Sequence, residues 1–245
     1  MQETTWDIKA PDGARIYGVK SSPEESVNSA IFMVHGLTSN LDDYVLKVGA
    51  DFFAQQYDVY RFNLCDWQEG ARNLKDCTLQ DHADDLRRVV ESFAKGYEKV
   101  FLIGHSYGGL VIMYANLPEI TAASLWEPAY DASDWIDPSQ VCTFEGEEYN
   151  ILMGQETALF NKEHSKQLAL LDVQACIKLA SNFNTPLQVV HGAEGILIDM
   201  ERSYHNDCQV HNRYDVIPNA GHCFTDGSTA DVLLEKTHAW FDKFK

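Results

Sequence analysis

Four short apolar runs, each stopping at a small or polar residue, constrain this chain more than any other feature. They are Ala30–Val34 before His35-Gly36, Val100–Ile103 before Gly104-His105-Ser106, Ala122–Trp126 before Glu127, and Leu187–Val190 before His191-Gly192. Runs of this length suit strands covered on both faces, as in a parallel sheet. Helical patterns lie between them. Over Asp81–Lys95, Leu86, Val89, Val90 and Phe93 fall on one side, and Asp84 and Arg88 have i,i+4 spacing on the other. Near the end of the chain Ser228 to Asp231 reads as a capping box. A stripe of Ala230, Leu233, Leu234, Thr237, Trp240, Phe241 and Phe244 follows it. Strands alternating with helices predict an α/β fold with a mostly parallel central sheet flanked by helices.

Two extended stretches, Thr4–Lys9 and Ala14–Lys20, flank Pro11-Asp12-Gly13 and predict an antiparallel hairpin at the sheet edge. The stretch from about 128 to 185 is longer than one strand-to-strand crossover needs and predicts a small inserted lid. Its later part, Glu163–Leu179, has a helical apolar pattern, whereas Asp131–Asn150 is acidic and reads as irregular. The chain has 245 residues, so 1–245 is expected to be a single α/β domain carrying that lid.

Lys and Arg number 19 against 37 Asp and Glu, a net charge of −18. That balance argues against nucleic acid, where Lys and Arg neutralise phosphate, and against an anionic membrane surface. No apolar run reaches the ~18 residues of a membrane span, and the first residues lack the basic and apolar regions of a secretory signal. Six cysteines without a CxxC spacing read as reduced thiols, and the expected compartment is the cytoplasm.

Gly104-His105-Ser106-Tyr107-Gly108 is a G-x-S-x-G motif set between a predicted strand and a predicted helix. Its glycines permit a sharp, strained turn that lifts a serine hydroxyl clear of the strand, and the helix start directs free N–H groups at developing negative charge. Ser106 is therefore the candidate nucleophile. A serine needs a base. His222, in Ala220-Gly221-His222-Cys223, follows the predicted strand Arg213–Ile217 and precedes the last helix, which makes it the candidate general base. Cys223 beside it reads as packing, and His35 and His105 as residues that shape the pocket backbone. His35-Gly36-Leu37 ends the first long strand, so the Leu37 and Tyr107 amides are the candidate oxyanion hole.

On these residues the sequence resembles the α/β-hydrolase superfamily, in its compact carboxylesterase, thioesterase and monoacylglycerol-lipase-like branch. The matching parts are His35-Gly36-Leu37, the Gly104–Gly108 elbow, the strand Leu187–Gly192 and Gly221-His222. They span nearly all of the chain outside the lid. Relatives that are dehalogenases or epoxide hydrolases place Asp where this chain has Ser106, so those chemistries drop out. The resemblance implies ester or thioester hydrolysis through an acyl-enzyme, with a small-molecule acyl substrate and no metal or organic cofactor.

One departure matters. The family pattern His-Gly-x-x-Asp carries the acid that orients the base, but here the stretch is His191-Gly192-Ala193-Glu194-Gly195. Some relatives place the acid after the strand that follows the nucleophile helix, where this chain has Glu127. Glu127 is the preferred acid, with Glu194 or Asp199 as alternatives. If no acid reaches His222, the chain is expected to be a ligand-binding protein on a hydrolase fold. An acyltransferase or perhydrolase, intercepting the same acyl-enzyme with another nucleophile, is the further alternative.

Three further patterns are weaker. His205, Cys208 and His211 have metal-like spacing but no fourth ligand. Asp42-Asp43 and Asp84-Asp85 read as solvated helix faces. Trp126, Tyr130, Trp135, Ile151, Leu152, Met153 and Phe160 line an acyl pocket or close a lid core.

Overall fold

The apolar runs become the middle of an eight-stranded sheet. The computed structural model describes residues 1–153, 157–198 and 202–245. In chain order the first half contains β1 (Gln2–Lys9), β2 (Arg15–Ser22), β3 (Ser29–Val34), α1 (Tyr44–Phe53), β4 (Asp58–Phe62), α2 (Leu79–Phe93), β5 (Lys99–His105), α3 (Tyr107–Ala115) and β6 (Ala122–Trp126). The second half contains β7 (Val141–Phe144), β8 (Glu147–Met153), β9 (Thr157–Phe160), α4 (Lys162–Ala169), α5 (Val173–Asn182), β10 (Leu187–Gly192), α6 (Tyr204–Asp207), β11 (Asn212–Ile217) and α7 (Thr229–Phe241). The sheet order is β1-β2-β4-β3-β5-β6-β10-β11. β1 and β2 form the expected edge hairpin, β2 meets β4 antiparallel, and all later pairings are parallel.

Alternate residues of each central strand enter two cores. Phe32 and Val34 of β3 pack with α2, α3 and α5, while Ile31 and Met33 pack with α1 and α7. Both faces are covered, which is why these strands show no polar alternation. β4 carries Asp58 and Arg61 and gave no apolar signal. Its Arg61 is 1% exposed, and its two terminal nitrogens donate to the Leu41 carbonyl, Asp42 and Glu3.

Several local expectations give way to tertiary partners. Helix α2 is capped by Thr78 and Asp81 in a reciprocal box, but Asp84 pairs with Arg87 while Arg88 donates to the Lys9 carbonyl. Asp85 is not solvated: it is 2% exposed and bound to Arg72. Ser228 precedes α7 without making a side-chain cap hydrogen bond, since its backbone lies outside the extended region a capping residue adopts. The predicted stripe of α7 is nonetheless buried from Ala230 to Phe241.

Residues 128–185 are more regular than expected. The acidic part contains β7 and β8, which join β9 in an antiparallel three-stranded sheet. The later part is two helices, because Asp172 accepts from the Ala175 amide and starts a new helix after Leu170–Leu171.

Candidate active site

Parallel strands direct their C-terminal ends to one edge of the sheet, where loop residues gather. Ser106 sits between β5 and α3 at φ 53, a left-handed conformation that is costly outside glycine. Neighbouring backbone holds it there. The Ser106 amide donates to Trp126 O (2.9 Å), and Ser106 O accepts from the Gly109 and Ala129 amides (3.0 Å each). Gly108 permits close approach: a Cβ there would lie 2.2 Å from Val34 O. Gly36 likewise backs onto the serine, since a Cβ at Gly36 would lie 3.3 Å from Ser106 Cβ.

Glu127 also has positive φ (46), directly after β6. Its amide extends the ladder to Val190 O (2.8 Å), and its side chain then turns into the protein and is fully buried. Three donors meet the carboxylate. His222 Nδ1–H donates to Oε2 (3.1 Å), His191 Nδ1–H donates to Oε1 (3.2 Å), and the Gly192 amide donates to Oε1 (2.6 Å). Burial pushes this acid up, but the two imidazoles and the Gly192 amide outweigh it and hold the pKa at about 2.

Gly195 makes room for this carboxylate. A Cβ at Gly195 would lie 2.2 Å from Glu127 Oε1 and 2.5 Å from Cδ. The missing side chain after β10 leaves the space that the Glu127 carboxylate fills. Glu194 is exposed in the same turn, and Asp199 lies outside the described residues.

His222 is held from two sides. Besides the bond to Glu127, its carbonyl accepts from His105 Nε2–H (3.0 Å), and the two rings lie 5.0 Å apart. Burial and the neighbouring His222 lower the pKa of His105. With Nδ1 donating to Glu127, His222 presents Nε2 as an acceptor. Its ring is partly exposed, as is Ser106. The Ser106 hydroxyl makes no hydrogen bond to His222 in this resting geometry, a contact that in many hydrolases tightens only around substrate. Cys223 points outward and is exposed, so it does not pack as expected.

His35 shapes the loop after β3. Nδ1–H donates to Gly36 O (2.7 Å) and Nε2 accepts from the Leu64 amide (2.9 Å), which fixes a neutral tautomer. Burial lowers its pKa to about 4. The loop presents Leu37, partly exposed, across from the start of α3. Among the described residues, neither the Leu37 nor the Tyr107 amide donates to a protein acceptor. The Tyr107 side chain points inward, where its hydroxyl bridges His82 Nδ1 (2.9 Å) and His164 Nε2 (3.0 Å). This ties the nucleophile turn to α4.

Three residues of the site escaped sequence reasoning in these roles: His191, His82 and His164. A signal existed for His191, which ends a strand adjacent to the one ending in Glu127, but only the strand pairing shows the contact. Trp126 does not line a pocket. It is fully buried, and its indole N–H reaches Ser124 and Thr237 beneath α7. Phe160 is buried against His164. Tyr130, Trp135 and Leu152 are half-buried on the same core. His205 stacks on Tyr214 (4.0 Å) and His211 on Trp240 (5.2 Å), so the two rings serve different contacts. Among the described residues no helix is long and apolar enough to cross a membrane.

With this geometry established, comparison identifies the class. The model of the alpha/beta hydrolase family matches residues 31–235, well over half of the chain, and the protein belongs to that family. Among solved structures it is similar to the ferulic-acid-bound Est1E of Butyrivibrio proteoclasticus, at 17% identity, TM-score 0.81 and 98% coverage of each chain. It is also similar to an esterase domain from Rhodothermus marinus, at 19% identity, TM-score 0.73, and 100% and 99% coverage. A dienelactone hydrolase from Anabaena variabilis matches at 15% identity, TM-score 0.71, and 99% and 98% coverage. At these identities the likeness is one of fold. A comparison with curated proteins returns no significant match.

Proposed function

We propose that the protein is a serine hydrolase that cleaves a carboxylic ester or thioester through a covalent acyl-enzyme. The observation that carries this reading is the buried Glu127 carboxylate hydrogen-bonded to His222, at the same sheet edge as the strained Ser106 turn. Ser106 Oγ attacks the acyl carbonyl while His222 Nε2 takes its proton. Ionised Glu127 stabilises the imidazolium and fixes the tautomer. The Leu37 and Tyr107 amides bind the oxyanion, a contribution of ~2.7–4 kcal/mol per donor in comparable sites. His222 then protonates the leaving alcohol or thiol, and water repeats the sequence in reverse to release the acid. His191 and His105 are positioning residues, acting on Glu127 and on the backbone of His222.

Residues 128–185 form the lid of a single domain in this reading, and the His164–Tyr107 contact joins lid to nucleophile turn. Six free thiols agree with a reducing compartment such as the cytoplasm.

The test is labelling with a fluorophosphonate, read by mass spectrometry at Ser106, followed by a panel of p-nitrophenyl esters and acyl thioesters with and without added alcohols, amines or peroxide. Labelling at Ser106 with turnover that water alone supports is the expected result. Absence of both overturns the reading, and turnover that requires an added nucleophile would make the protein a transferase or perhydrolase.

A further inference from the structure

A cleft of about 1060 Å³ opens beside the loop that follows β3, at the upper limit of the sizes usual for small organic ligands. That loop begins at Gly36 against Ser106 and enters the cleft wall two residues later, at Thr38. The β1–β2 hairpin, the loop after β4 and the β7–β9 sheet complete the walls.

Trp67 stands in this cleft 90% exposed. An indole left in water is a candidate contact surface, and here its backbone is locked. Asp66 accepts from the Trp67 amide (2.7 Å), the Gln68 amide (3.2 Å), Gln68 Nε2 (3.0 Å) and Asn63 Nδ2 (2.5 Å). Tyr17 donates to Glu69 O (2.6 Å), and the Arg15 amide donates to Gly70 O (2.8 Å). An aromatic face on a fixed loop loses little freedom when a ligand stacks on it.

The remaining wall sets apolar side chains such as Leu41, Leu74 and Leu159 beside amides and hydroxyls, including Thr38, Asn40, Gln68, Asn73 and Thr157. Its charged residues are Asp42, Asp66 and Glu145 against Lys75 alone. The Lys75 ammonium is occupied, 2.9 Å from Asp76 and over the faces of Phe144 (6.0 Å) and Tyr149 (5.8 Å). A phosphate-bearing leaving group would meet carboxylates and no uncommitted cation. A neutral ring with an apolar face and many hydroxyls would find a stacking platform and amides.

We propose that this cleft receives the alcohol side of the substrate and selects a neutral polyhydroxylated alcohol, a sugar or glycoside, over the phosphate-bearing thiol of coenzyme A. The proposal rests on the serine acyl-enzyme reading and names its substrate class. A cleft open to solvent suits the group that departs in the first step, since water must then reach the acyl-enzyme.

Three substrates with one acyl group test it: methyl 6-O-acetyl-glucoside, methyl acetate and acetyl-coenzyme A. The expected kcat/KM is about tenfold higher for the glucoside than for methyl acetate, the worth of one well-placed aromatic contact. Trp67→Ala should remove that advantage, lowering kcat/KM for the glucoside about tenfold more than for methyl acetate. An exposed side chain carries little of the fold, and circular dichroism checks this. The double variant Asp42→Asn, Glu145→Gln should raise turnover of acetyl-coenzyme A several-fold at low salt. A glucoside no better than methyl acetate, or a Trp67→Ala loss shared by both, overturns the proposal. If methyl acetate is not cleaved and Ser106 is not labelled, the acyl-enzyme reading itself has failed. The cleft is then judged by methyl glucoside binding to Ser106→Ala, read as saturable tryptophan quenching that Trp67→Ala abolishes. Absence of quenching overturns the cleft assignment on its own.

Discussion

Strands β6 and β10 lie side by side, paired from Ala123↔Leu187 to Trp126↔Val190, yet they end in opposite chemistry. One ends in a fully buried carboxylate, and the other leads to a glycine in the turn where the family pattern places its acid. The two facts are one arrangement. A side chain at 195 would start 2.2 Å from Glu127 Oε1, so the two positions cannot both carry bulk. The place of the carboxylate is set by shared space between neighbouring strand ends, not by the residues of either one alone.

The comparison can be broken first at the residue both ends serve. Ser106→Ala should reduce kcat on the order of 10⁶-fold, as loss of a triad serine does elsewhere. Retained ester turnover in the folded variant would end the serine mechanism. Glu127→Gln should cost about 10⁴-fold, because an amide can favour the wrong imidazole tautomer. The same variant also reads the state of the carboxylate by pH. Ionised Glu127, with its pKa lowered to about 2 from 4.5, contributes stability that is complete above 4.5 and lost as pH falls towards 2. The melting-temperature gap between wild type and Glu127→Gln should therefore close as pH falls from 4.5 towards 2.

Gly195→Asp should lose activity about 100-fold or more by displacing the Glu127 carboxylate, since misplacement near 1 Å already costs that much. The swap Glu127→Ala, Gly195→Asp should recover part of what Glu127→Ala loses. A swap no better than Glu127→Ala would show that shared space is not the controlling feature. His191→Ala removes one of the three donors and should lower kcat about tenfold, the value of a hydrogen bond to a charged group. Glu194→Gln should stay within about twofold of wild type, since its side chain is exposed and does not bond His222.

Most of the central sheet was legible because burial on both faces leaves an unbroken apolar record at β3, β5, β6 and β10. The elbow was legible because its chemistry is local: glycines and serine within five residues. What escaped depends on partners distant in sequence. β4 hides behind Asp58 and Arg61, whose charges are met by Lys20, Asp42 and Glu3. β7–β9 are short strands in an acidic stretch, and their sequences resemble a loop until they pair. Asp85 looked solvated because nothing in its own helix announces Arg72. The position after β6 singled out Glu127, but only the packing of Gly195 against its carboxylate shows why the neighbouring turn carries no side chain.

The Ser106 turn and Glu127 belong to one consecutive β5–α3–β6 unit, stitched by the Ser106 amide to Trp126 O. His222 joins Glu127 from 95 positions further along, carried behind the edge strand β11. Local contacts form early in folding and distant ones late. On the proposed mechanism, a chain made from its N-terminus holds the Ser106 turn before the residue that would serve as its base has been synthesised. The pair is complete only once β11 and α7 have docked on the sheet.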